Sequence, residues 1–138
     1  MIATATPATV PAVNLDRIRF AVASASERYT RAGNLLSWKE DFRAGTQISL
    51  AQSWLQDALH DAGNPKSGWF AVTLGKIDTL TADACRELNA ATTPAQATAK
   101  RKALRAVVQA NVRVCDAILA GLDLATGITT PRRDGDPD

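Results

Sequence analysis

Residues 93–126, TPAQATAKRKALRAVVQANVRVCDAILAGLDLAT, decide the fold of this chain. Thr93 followed by Pro94 is a helix start, with the hydroxyl residue as cap and proline in the first turn, where its missing N–H costs nothing. On a 3.6-residue wheel Leu104, Val107, Val108, Val114, Cys115, Ile118 and Leu122 share one face, with Asn111 in its middle. Ala103, Ala106, Ala110 and Ala117 read as a second strip beside it. The combined sector exceeds the roughly 100° that a one-sided surface helix uses, so the spacing predicts an axle helix with more than one neighbour.

Working outward, the same periodicity recurs through the chain. Asn14 is placed to cap a first helix in which Leu15, Ile18, Val22, Ala25, Tyr29 and Ala32 repeat at heptad spacing, with Gly33 expected to end it. Ser37 and Glu40 have capping-box spacing, so a short helix carrying Leu35, Trp38 and Phe42 inward is expected to stop at Gly45. Over 46–62, Ile48, Ala51, Trp54, Leu55, Ala58, Leu59 and Ala62 form the next inward stripe, and Gly63-Asn64-Pro65 ends it. Over 68–91 the phase of Trp69, Phe70, Thr73, Leu74, Ile77, Leu80, Ala84, Cys85 and Leu88 does not slip, which favours one helix over two. The expected architecture is all-α: a helical bundle of four main helices plus one short helix, a single domain over 14–127. An extended, Pro-containing N-terminal arm occupies 1–13 and a polar C-terminal tail 128–138.

Composition agrees with this and restricts function. Alanine is about a fifth of the 138 residues and aromatics are 5%, which favours helices whose backbones approach closely over a ring-filled core. Sixteen Lys plus Arg against fourteen Asp plus Glu leave a net charge of +2, too small for a molecule-wide field that attracts nucleic acid. Neither a signal-peptide pattern nor an apolar run of about 18 residues is evident, so the expected location is the cytoplasm or the interior of an assembled particle, with no membrane contact. Cys85 and Cys115 fall on apolar faces and read as small hydrophobes.

Chemistry is thin in this chain. His60 is the only histidine and sits on the polar side of its helix, so neither a metal set nor a nucleophile triad assembles from these residues. Phosphate-binding glycine motifs are missing. No catalytic, cofactor, metal or small-molecule substrate site is expected, and the chain reads as non-enzymatic.

Two surfaces remain. One is an apolar protein interface made of Phe20, Leu104, Val108, Asn111, Ile118 and Leu122, where a lone amide in a greasy face either sets register, as in oligomeric helical assemblies, or bonds a loop carbonyl within the monomer. The other is the basic run Lys100, Arg101, Lys102, Arg105 and Arg113, which suits phosphates or an acidic partner. The expected function is that of a structural or adaptor protein that self-associates as a homo-oligomer or docks into a larger assembly, a viral connector or scaffold being one instance. The alternatives are a nucleic-acid-associated protein using the basic face, and a small protein-binding inhibitor or regulator.

Overall fold

A computed structural model describes residues 14–126, apart from the side chains of 124–126. The expected arm over 1–13 and tail over 128–138 lie outside the described residues. Four helices follow one another: α1 (Leu15–Ser37), α2 (Asp41–Asp61), α3 (Trp69–Asn89) and α4 (Pro94–Thr126). No strand occurs among the described residues.

Each helix packs on its neighbours in sequence, and α4 returns to α1, closing a ring. Cross-helix pairs fix the directions. Arg19 meets Asp123 at 3.3 Å, Ser26 donates to Asp116 at 3.0 Å, and Gly33 faces Val108. As α1 advances α4 therefore recedes, and the two are antiparallel. The α1/α2 pair behaves likewise, through Arg17–Asp61, Phe20–Trp54 and Arg28–Gln47. So does α3/α4, through Thr81–Asn111 and Glu87–Lys100. The connections are short, and the fold is an up-down-up-down four-helix bundle.

Several local expectations hold. Asn14 caps α1, its Oδ1 accepting from Arg17 N at 3.1 Å, and Thr93 Oγ1 accepts from Gln96 N at 3.1 Å ahead of Pro94. The stop after α2 is made as expected by Gly63 and Asn64, both with positive φ (90° and 52°). The stretch from Trp69 to Asn89 is one helix.

The region around Gly33 differs. Gly33 does not end α1 but is buried inside it, and the helix runs on through Leu35 and Leu36 to Ser37. A β-carbon at Gly33 would lie 3.6 Å from Val108 Cγ2, an ordinary contact distance, so α4 packs directly over this position of α1. The reversal comes instead at 38–40, where Lys39 takes φ 60° and Glu40 N reaches back to Leu35 O at 2.9 Å. The expected short helix is consequently absent. Its first half belongs to α1 and its second half to α2, which begins at Asp41 and passes through Gly45. A glycine spends its conformational freedom only where packing does not hold the helix, and here Leu35 and Leu36, 7% and 2% exposed, carry the helix past it.

The core centres on α1. Val22, Ala25, Tyr29 and Ala32 are fully buried, as are Ala44, Ala51 and Ala58 of α2. The antiparallel register brings Ala32 level with Ala44 and Ala25 level with Ala51, giving a seam of small residues at heptad spacing on both helices. Small side chains at such a seam shorten the interaxial distance, and the backbones supply the contact area. The axle role expected of the last helix is thus shared: α4 does touch both α1 and α3, yet its second strip, Ala103, Ala106, Ala110 and Ala117, faces solvent. Alanine is the best helix former whether or not it is buried, so a strip of it does not by itself mark a packed face.

Candidate functional site

The six residues expected to form a protein interface part company in the bundle. Leu104, Val108, Asn111 and Ile118 are buried in the core of the single chain, and Leu122 is half-buried against it. Only Phe20 remains outside, 63% exposed, its ring edge-on to Trp54 at 5.4 Å and 83°. The expected interface is therefore corrected: the apolar face of 93–126 is used by α1 and α3 and is not left for another molecule.

Asn111 is resolved by its partner. Its Nδ2 donates to Thr81 Oγ1 at 2.8 Å, and that hydroxyl in turn donates to Ile77 O at 2.6 Å. Both side chains are buried, so the pair satisfies its polar atoms within the chain and locks α3 to α4. Beside it lies Tyr29, whose buried Oη approaches the Thr81 hydroxyl but makes no hydrogen bond of normal geometry among the described residues. Burial, and after it the fields of Cys115 and Asp78, push its hydroxyl above the ordinary tyrosine range and keep it neutral.

Thr81 also explains a phase error in reading α3. The expected stripe placed Trp69 and Leu80 inward, but they are 64% and 59% exposed. The buried side is instead centred on Leu74, Ile77 and Thr81, with Phe70 and Leu88 packed against it. A threonine whose hydroxyl bonds its own helix carbonyl loses most of its polar cost, and so it can displace a leucine from the core. Trp69, Val72 and Leu80 then fall, with Lys76, on one outward stripe of α3. Trp38 and Phe42, expected inward on the short helix, are 69% and 89% exposed, the first within the turn at 38–40 and the second at the start of α2. Nothing in the sequence separates these aromatics from core ones, because only the position of the reversal decides which way they face.

Two of the five expected phosphate contacts are already engaged. Arg101 spans to the first turn of α2 and binds both carboxylate oxygens of Asp41 at 2.7 Å, which makes the guanidinium still harder to deprotonate. Lys100 donates to Glu87 at 2.6 Å and holds that carboxyl below its usual range. Lys102, Arg105 and Arg113 are exposed and form no ion pair among the described residues.

Clefts occur where helix contact is sparse. One of about 190 Å³ lies between α2 and α3, with Leu55, Leu59, Leu74 and Ile77 as walls and the Gln52–Asp78 hydrogen bond at its edge. Another, of about 430 Å³, opens at the end of the bundle near Ile18, Phe70, Ile118 and Leu122 and is almost wholly apolar. His60 is exposed, with Nδ1 3.2 Å from Asn64 Nδ2. Both thiols are free, Cys115 buried and Cys85 half-buried, and desolvation raises the Cys85 thiol. Among the described residues no three His, Cys, Asp or Glu side chains gather as metal ligands, and no helix is long and apolar enough to cross a membrane. Comparison with protein-family models, with curated proteins and with solved structures finds nothing that matches this chain.

Proposed function

We propose that this chain is a non-enzymatic structural or adaptor protein that self-associates or docks into a larger protein assembly. The observation that supports this reading most is the outward stripe of α3, where Trp69, Val72 and Leu80 leave large apolar side chains in water at 64%, 50% and 59% exposure. These residues recur at helical spacing along one stripe, interrupted by Lys76, that a partner helix can cover, unlike the scattered apolar residues normal on any surface. Phe20 and Leu50 add apolar surface on the α1/α2 side. The partner-facing residues thus differ from those expected from the wheel of 93–126.

Light scattering coupled to size exclusion at about 10 and 100 µM tests this, with affinity capture from the native host alongside. The expected result is a concentration-dependent oligomer or a stoichiometric partner, either of which is lost in Leu80→Glu while the helical circular dichroism is kept. A monomer at both concentrations that captures no partner, or an association indifferent to Leu80→Glu and Trp69→Ser, overturns the reading.

A further inference from the structure

The cleft between α2 and α3 has two unlike ends. From α2 it is lined at steps of three and four residues from Gln52 to Leu59, and from α3 likewise from Ala71 to Asp78. Each wall is therefore about two helical turns, roughly 10 Å, long. The two helices are antiparallel and Gln52 Nε2 donates to Asp78 Oδ1 at 3.1 Å, so Gln52 and Asp78 share one end while Leu59 and Ala71 meet at the other. Between these ends Leu55, Leu74 and Ile77 are buried and present apolar wall. Tyr29 of α1, itself fully buried, contributes from beneath, and its Oη makes no hydrogen bond of normal geometry. The mouth is clear at Gly75, where a β-carbon would meet nothing within 4 Å.

The polar end carries an uncompensated charge. Asp78 has the Gln52 amide as its partner, and none of the ion pairs among the described residues includes it. Lys76, two positions away in sequence, lies on the outward stripe at the far side of α3. The other polar side chains at the rim, Gln52 and Gln56, are neutral amides, so the cleft is an apolar slot with a single carboxylate at one end. At about 190 Å³ it is close in size to an apolar protein cavity of about 150 Å³ that takes up benzene, so one ring with a short chain fills it.

From this geometry we infer that the α2/α3 cleft binds a small apolar primary amine in its ammonium form, with the hydrocarbon between Leu55, Leu59 and Leu74 and the ammonium at Asp78. The apolar body leaves water for the Leu59 end, and the ammonium donates to the Asp78 carboxylate, with the Gln56 carbonyl oxygen at the rim as a further acceptor. A carboxylate of the same size meets Asp78 as a like charge, and a neutral isostere leaves that charge unmatched. A compact polar cation gains nothing from the leucine walls. The inference does not depend on the α3 stripe, because Ala71, Gly75 and Asp78 lie on a different side of α3 from Trp69, Val72 and Leu80.

Titration of the isotope-labelled chain with phenethylamine to about 10 mM at about pH 7, followed by amide chemical shifts, tests it, with phenylethanol and phenylacetate as neutral and anionic probes of like shape. The expected result is saturable binding with a Kd of about 1 mM, ordinary for so small a ligand, and shifts confined to the two walls, 52–59 and 71–78. Phenylethanol should bind about tenfold more weakly, as expected when a charge-assisted hydrogen bond is replaced by a neutral one, and phenylacetate should not bind. Asp78→Asn should erase the preference for the amine over the alcohol. Gly75→Leu, which plugs the mouth, should abolish binding of both. Both positions are exposed, and retained helical circular dichroism confirms that the fold survives. The inference is overturned by the absence of shifts on these walls at the highest amine concentration, or by an alcohol that binds as tightly as the amine. It is equally overturned by an amine affinity that Asp78→Asn leaves unchanged, or by a Gly75→Leu chain that binds as the parent does.

Discussion

The α1/α2 seam and the α2/α3 seam are both built from small residues, and they do opposite things. Along α1/α2, Ala25 and Ala32 lie against Ala51 and Ala44, every one of them fully buried. Along α2/α3 the facing residues of α3 are Ala71, Gly75, Asp78, Ala82 and Cys85, and clefts of about 190 and 430 Å³ remain there. Small side chains permit close approach but do not drive it. In the first seam the large residues beside the alanines, Val22, Tyr29, Ile48 and Leu55, are buried with them and draw the helices together. In the second, α3 turns its apolar residues Leu74 and Ile77 toward the core it shares with α4, and Thr81 ties it to Asn111. On the α2 side the same Leu74 and Ile77 only wall a cleft, with the Gln52–Asp78 pair at its edge.

Enlarging one alanine in each seam tests that contrast most severely. Ala51→Leu should destabilise the bundle by about 2–3 kcal/mol in urea unfolding, because the added atoms must separate two helices in contact. Ala82→Leu, which points toward the α2/α3 cleft, should stay within about 0.5 kcal/mol of the parent. Similar losses at both sites would erase the distinction. Next in size is the tie that holds α3 in place. Asn111→Ala should cost about 1–3 kcal/mol by removing the buried donor to Thr81. In a cycle with Thr81→Val the two losses should fall short of additivity, and simple addition would show that the pair does not interact.

A smaller effect, of opposite sign, is expected at Gly33. Inside a helix, with ordinary contact distance to Val108, Gly33→Ala should stabilise the protein by about 0.5–1 kcal/mol. A loss at this position would restore the reading of Gly33 as a left-handed helix stop. Smallest at neutral pH is Tyr29→Phe, expected to change stability by less than about 0.5 kcal/mol, since the hydroxyl approaches Thr81 but makes no hydrogen bond of normal geometry. Its effect grows with alkali. The folded state holds this proton more tightly than the unfolded chain does, so the group's contribution is complete below the ordinary tyrosine value of about 10 and declines as pH rises beyond it. Urea titrations from about pH 9 to 11 should show the phenylalanine variant gaining on the parent, and parallel curves would contradict the assigned burial.

The heptad seam of 18–32, the caps at Asn14 and Thr93 and the stop at Gly63-Asn64 were legible because each depends on neighbours within a turn or two, whereas Leu15, expected in the seam, is exposed at the helix start. Candidate surfaces were far less legible. Leu104 and Leu80 are the same residue on equally amphipathic helices, yet one is 3% exposed and the other 59%. Their difference comes from which helix covers them. Likewise Arg101 and Arg105 stand four residues apart in one basic run, and only the placement of Asp41, sixty positions earlier in sequence, neutralises the first and leaves the second open.

The residue order by itself determined that this chain is helical, where most of its helices begin and end, and that alanine would set their spacing, because hydrogen bonds and capping close over three or four residues. Only the tertiary structure decided that α1 continues past Gly33, that Thr81 is buried in place of Leu80, and which cations stay unpaired. Those outcomes depend on contacts between segments distant in sequence, where the burial gained by the whole bundle outweighs the preference of any single turn.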